Sequence, residues 1–239
     1  MKSNASIKGI IFDMDGVLCD SEPFICEAAC RMFAECHGKT VKPEDFLPFV
    51  GAGEDRYIGG VAEKYGVHLS MPSDKDRTYA IYLEIIKGSL QPLPGAKEFI
   101  AYCRSRQLKL AVATSADLVK MTGNLREIQI AANTFNACVT GSEVQRKKPD
   151  PEGFLLAASK LALTTDDLLV VEDAPNGIHA ARAAGIRALG LTSSFTAKVL
   201  RDAGASWVTF DLAHVPSGVF DMFAPDISQR SKAAKTPRV

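Results

Sequence analysis

Six short apolar runs constrain this chain more than any other feature. Residues 7–12, 108–114, 137–140, 168–172, 188–191 and 207–210 are aliphatic-rich and almost unbroken in hydrophobicity. Strands that read this way, instead of alternating apolar with polar, are buried on both faces, which is the condition of a parallel sheet. Between the later runs, residues 118–128, 151–161, 176–184 and 197–203 carry apolar residues at helical spacing. Alternating strands and helices of this length predict an α/β fold: a Rossmann-like parallel sheet with helices on both faces.

Residues 22–90 interrupt that rhythm. The stretches EPFICEAACRMFAECHG, EDRYIGGVAEKYG and KDRTYAIYLEIIKG read as helices that each end at glycine, and no strand is evident among them. A helical block placed after the first strand predicts an inserted α-helical cap domain. The expected division is a catalytic core of residues 1–19 and 91–224, a cap of residues 20–90, and a flexible basic tail at 225–239.

Composition narrows the function by exclusion. Among 239 residues, Lys+Arg and Asp+Glu both number 28, so no global field favours nucleic acid or an anionic membrane as partner. The start of the chain lacks the apolar stretch of a signal peptide, and no run approaches a membrane span, so the cytoplasm is the expected compartment. The six cysteines form no CxxC pair. Cys26 and Cys30 lie one helical turn apart without a third ligand at suitable spacing, and all six are read as reduced structural thiols.

Polar residues then stand where the strands stop. Ligands of open parallel sheets bind beyond the carboxyl ends of the strands. Those ends carry Asp13 and Asp15 after the first run, Thr114 and Ser115 after the second, and Glu172 with Asp173 after the fourth; Lys148 precedes a proline-started helix. In extended chain, residues i and i+2 point to one side, so Asp13 and Asp15 can act together. Clustered carboxylates repel unless compensated, and Mg²⁺, small and oxygen-seeking, compensates them while leaving a carboxylate oxygen free to attack phosphorus. Thr114 and Lys148 offer a hydroxyl and a cation to the phosphoryl oxygens, so the set contains the parts of phosphoryl transfer. Each part alone has an ordinary explanation: a polar turn, a strand-end threonine, a solvated basic cluster at 146–148, a loop start. Their joint order at successive strand ends favours a site.

The stretches FDMDGVL, VATS, KKPDP and VVEDAPNGIHAARAAGI resemble the four ordered signatures of the haloacid dehalogenase-like (HAD) superfamily, and the resemblance extends to about Leu212. It implies Asp13 as a nucleophile that forms an aspartyl phosphate, and Asp15 as acid to the leaving group and then base for water. It implies Thr114 and Lys148 as holders of the phosphoryl group. Mg²⁺ would be bound by Asp13, Asp173 and the Asp15 carbonyl, with Glu172 at an acidic position that binds or supports the metal. The helical insertion matches the C1-type cap of the phosphatase and β-phosphoglucomutase branch.

Asp15 argues against dehalogenation, which needs no protonation of its leaving group. A β-phosphoglucomutase typically has a histidine where this chain has Ile25, and an arginine where the simplest register gives Glu54, although Arg56 lies close by. Both departures favour a Mg²⁺-dependent phosphatase acting on a small phosphorylated metabolite, with a sugar phosphate mutase as the alternative and a non-catalytic binding domain a weaker third. The stretch GAGEDRYIGGVAEKYG is also similar to HAD domains of the plant chloroplast suppressor-of-quenching type. Ser115, Glu22, Glu54 and Arg56 are the expected substrate contacts, with Asp55 and Tyr57 beside them.

Overall fold

A computed structural model describes residues 6–223, and the tail expected at 225–239 lies outside them. The six runs form one fully parallel sheet of β1 (Gly9–Phe12), β2 (Lys109–Ala113), β3 (Ala137–Val139), β4 (Leu168–Glu172), β5 (Arg187–Leu191) and β6 (Trp207–Thr209), in the order β3-β2-β1-β4-β5-β6. Strands β1, β2, β3 and β6 are one or two residues shorter than their apolar runs, β4 matches its run, and β5 begins one residue earlier, at Arg187.

Alternation along the strands explains the two-sided core. Ile10 and Phe12, Leu110 and Val112, and Leu169 and Val171 enter one apolar cluster; Ile11, Ala111, Ala113, Leu168 and Val170 enter another on the opposite face. The first is covered by α4 (Ala96–Ser105) through Phe99, Ile100 and Cys103, and by α5 (Leu118–Glu127) through Met121 and Leu125. The second is covered by α6 (Glu152–Leu161), α7 (Pro175–Ala183) and α8 (Ala197–Ala203). Phe12 is fully buried and meets Phe99 and Phe135 edge-on, with ring centroids 6.1 and 6.3 Å apart. Truncating such a residue to alanine costs about 3–5 kcal/mol. The short α9 (Ser217–Phe220) packs its Phe220 against Phe99 and Tyr102.

Between β1 and β2 the described chain is helical: α1 (Glu22–His37), a 3₁₀ segment (Pro43–Phe49), α2 (Glu54–Tyr65) and α3 (Ser73–Ile85), with α4 following. The glycines expected to stop α1 and α2 do so, Gly38 and Gly66 both sitting at φ 62°. The block has its own apolar contacts, among them Phe33 on Phe46 and Phe46 on Tyr57. Helix α4 escaped the sequence reading although Ala96, Phe99, Ile100 and Cys103 carry helical spacing. No helix among the described residues is long and apolar enough to cross a membrane.

The sheet order decides where chemistry collects. From β1 the chain proceeds outward to β2 and β3, then returns to β4 on β1's other side and proceeds to β5 and β6. The crevice beyond the carboxyl ends of β1 and β4 is the switch point of the sheet.

Candidate active site

Asp13 and Thr114 continue the ladders of β1 and β2: the Asp13 N–H donates to Val171 (2.9 Å) and the Thr114 N–H to Val139 (3.0 Å). Both side chains therefore emerge at fixed positions, with Glu172 ending β4 beside them and Asp173 next in the chain. Lys148, on the loop before α6, donates from Nζ to Asp13 Oδ1 and to Glu172 Oε1, each at 2.6 Å, and lies 5.0 Å from the centre of the Phe154 ring. The second Glu172 oxygen accepts the backbone N–H groups of Asp173 (2.9 Å) and Ala174 (3.0 Å). Thr114 Oγ1 accepts the Ala116 N–H at 3.1 Å. Four chain segments thus meet at one sheet edge.

Two glycines make room for this packing. Gly16 has φ 73°, and a Cβ there would lie 1.9 Å from the Asp173 carboxylate; one on Gly177, in the first turn of α7, would lie 1.7 Å from Glu172. Larger residues would push both acids out of place.

Electrostatically the edge is overloaded with negative charge. Asp13, Glu172 and Asp173 are buried, and each offers a carboxylate oxygen within 4.8 Å of the others. Burial raises Asp13 to about 7, the Lys148 charge pulling back against it and the charges of Glu172 and Asp15 adding to it. Burial, then the neighbouring Glu172 charge, holds Asp173 well above the usual carboxylate range. Burial alone would depress Lys148, but the adjoining Asp13 and Glu172 charges outweigh it and raise it. One ammonium faces three carboxylates, so the donor set fits a hard divalent cation, and its all-oxygen chemistry suits Mg²⁺.

The Asp15 side chain belongs to a different group. Its Oδ1 accepts from Ser21 Oγ and from Asn124 Nδ2 (3.4 Å), and its Oδ2 faces Lys120 Nζ at 3.1 Å. Lys120 also lies 3.5 Å from Glu54 Oε1. Burial opposes its charge, but Asp15 and Glu54 more than compensate and shift it upward. Sequence reasoning missed Lys120 and Asn124, which lie one turn apart on α5.

A cavity of about 80 Å³ joins the two groups and is lined by Asp13, Asp15, Thr114, Ser115, Lys148, Glu172 and Asp173 from below and by Glu22, Glu54 and Tyr57 from the helical block. Burial raises the Glu22 carboxyl, with the Lys120 charge opposing. Arg56 requires a correction. It lies outside the cavity, half-exposed, paired with Glu63 at 2.8 Å and stacked on Phe49 at 4.8 Å. Asp55 is likewise outside, paired with Lys75 at 2.9 Å. The reason is the helix that starts at Glu54: residues i and i+3 share a face, so Glu54 and Tyr57 point inward while Asp55 and Arg56 turn away.

Comparison with known proteins places these residues in a family. Residues 10–191 match the family model described as haloacid dehalogenase-like hydrolase. The chain is 37% identical over 212 residues to the chloroplastic protein Suppressor of Quenching 1 of Arabidopsis thaliana, covering 87% of this chain and 20% of that protein. It is 33% identical to a phosphorylated carbohydrates phosphatase of Thermotoga maritima, covering 83% of this chain and 92% of the relative. A solved Thermotoga maritima structure, provisionally named a β-phosphoglucomutase, superposes with a TM-score of 0.68 at 32% identity, covering 85% of this chain and 94% of that one. The chain belongs to the haloacid dehalogenase-like hydrolases, in the branch that holds phosphatases and β-phosphoglucomutases.

Proposed function

We propose that this enzyme is a Mg²⁺-dependent phosphatase that hydrolyses small phosphomonoesters through an aspartyl phosphate on Asp13. The observation that carries the reading is the Asp13 carboxylate, fixed by the β1–β4 ladder, beside the Lys148 ammonium and the acids at the end of β4. Asp13 attacks phosphorus, the ester P–O bond breaks, and the leaving oxygen takes a proton from Asp15. Water then attacks the phosphorus of the aspartyl phosphate, loses its proton to Asp15, and phosphate departs as Asp13 is regenerated. Lys148 and the Thr114 hydroxyl neutralise and orient the phosphoryl oxygens. Asp13, Asp173, Glu172 and the Asp15 carbonyl would hold Mg²⁺, which supplies positive charge against the crowded carboxylates and the phosphoryl group.

Residues 20–90 act in this reading as a cap over the site, with Glu22, Glu54 and Ser115 as substrate contacts. Glu54 supplies no positive charge for a second phosphate, and the cation beside it, Lys120, is already engaged by Asp15 and Glu54, which favours hydrolysis over mutase chemistry. Relatives named as phosphatases of phosphorylated carbohydrates and of phosphoglycolate support a small phosphorylated metabolite as substrate.

The deciding experiment is incubation with β-glucose 1-phosphate, Mg²⁺ and catalytic glucose 1,6-bisphosphate, alongside a panel of monoesters. Phosphate release from several monoesters, abolished by Asp13→Asn, supports the proposal. Rapid glucose 6-phosphate formation with little free phosphate replaces it with the mutase.

A further inference from the structure

Lys120 takes no part in the steps above, yet it is among the least exposed charged side chains near the site, at 4%. It stands on α5, its ammonium 3.1 Å from Asp15 Oδ2, 3.5 Å from Glu54 Oε1 and 5.8 Å from the centre of the Tyr82 ring. A lysine is retained in so buried a place only when its charge is matched. Its two partners come from opposite sides of the molecule: Asp15 follows β1 in the core, and Glu54 opens α2 in the helical block.

The remaining contacts of these partners are unequal. Asp15 is held from three directions, by Ser21, Asn124 and Lys120. Glu54 is 5% exposed, with Lys120 as its charged partner and the Tyr79 hydroxyl beside it. The ammonium is therefore the polar link among these residues between the core acid and the first turn of α2.

We propose that Lys120 is a positioning residue for the reaction: it fixes the Asp15 side chain, and its second contact with Glu54 makes that orientation depend on how the helical block is seated. This rests on the reading of Asp15 as the general acid and base. Lys120 acts through Asp15, so its influence must follow the need of the leaving group for a proton. An aryl ester such as p-nitrophenyl phosphate leaves without much help; an alkyl ester such as glycerol 3-phosphate does not.

The test compares kcat/KM for these two esters, with Mg²⁺ present, in the parent enzyme and in Asp15→Asn, Lys120→Met, Glu54→Gln and the Lys120→Met/Glu54→Gln double variant. Kcat/KM isolates the steps up to phosphoenzyme formation, where the leaving group departs. Lys120→Met should depress the alkyl ester at least about tenfold more than the aryl ester, within the ~10²–10⁴-fold range of general acid help. Glu54→Gln should do the same more weakly, and the double variant should be no worse than Lys120→Met, because both act through one contact. An equal fall for both esters, or a change confined to KM, overturns the proposal. If Lys120→Met fails to fold, Lys120→Gln, which keeps a polar end in the same place without the charge, decides by the same comparison. Asp15→Asn separates the two levels: leaving-group selectivity there without any in the other variants refutes the role of Lys120 alone, and its absence in Asp15→Asn refutes the underlying mechanism.

Discussion

The cavity has two walls built on different principles. The core wall carries Asp13, Thr114, Glu172 and Asp173 at strand ends, the N–H groups of Asp13, Thr114 and Asp173 all bonded and Lys148 bonded to two of the acids at 2.6 Å. The opposite wall carries Glu22, Glu54 and Tyr57 on the opening turns of helices, where Glu22 and Tyr57 face each other and Glu54 faces Lys120 and Tyr79. In the proposed reading the first wall, with its charges crowded on fixed strand ends, carries the reaction, and the second, with polar groups presented from helix turns, carries recognition. Removing a residue from the first should cost turnover, and from the second, selectivity.

The sharpest way to break this contrast is at Asp173. Asp173→Ala should lower Mg²⁺ affinity severely by calorimetry and suppress turnover with it; unchanged affinity would remove the metal from this wall. Next in size, Gly16→Ala forces a Cβ to within 1.9 Å of Asp173 at a φ of 73° and should destabilise the protein by more than about 1 kcal/mol in denaturant unfolding. The same change at Gly51, where φ is 78° but no atom lies within 4 Å, meets the backbone penalty alone and should cost less.

A smaller effect concerns pH. Asp13 is raised to about 7 by burial, so without metal the native state binds a proton that the unfolded chain has released. The unfolded state holds fewer protons across that window, and stability must fall as pH rises from the ordinary carboxylate range toward neutrality. Chelator-treated protein should therefore melt lower at about pH 8 than at about pH 5, and Asp13→Asn or added Mg²⁺ should flatten that trend. A flat profile in the chelated parent would deny the charge crowding.

Across the cavity, Glu22→Gln should alter KM among monoesters more than kcat, read from a substrate panel. Smallest of all, Arg56→Ala should leave activity unchanged and stability within about 0.5 kcal/mol, since its pair with Glu63 is solvent-exposed. A large change in substrate profile would restore Arg56 to the site.

The core wall was legible because strand ends translate sequence position directly into space. Once Ile10–Phe12, Leu110–Ala113 and Leu168–Val171 are strands, the next residues fall at one edge in an order set by the sheet. The helical wall was not, because a side chain's direction there turns by 100° per residue and depends on where the helix begins. Arg56 was misplaced for that reason. Lys120 and Asn124 escaped for a related one: on α5 the polar Lys120 and Asn124 are buried while the apolar Leu118 and Val119 are exposed, the reverse of what hydrophobic periodicity implies. The positions of Asp15, Glu54 and Tyr82 around that helix explain the inversion, Lys120 facing the two acids and Asn124 bonding to Asp15 and Tyr82.

The central claim is that Asp13 becomes phosphorylated. The enzyme should be mixed with a monoester and Mg²⁺, quenched in acid during turnover, reduced with borohydride to convert any acyl phosphate to an alcohol, and mapped by mass spectrometry. Reduction is expected at Asp13 alone, in amounts that follow substrate occupancy and vanish in Asp13→Asn. Phosphate release during turnover with no modification at Asp13, or with the acyl phosphate at another carboxylate, would contradict it.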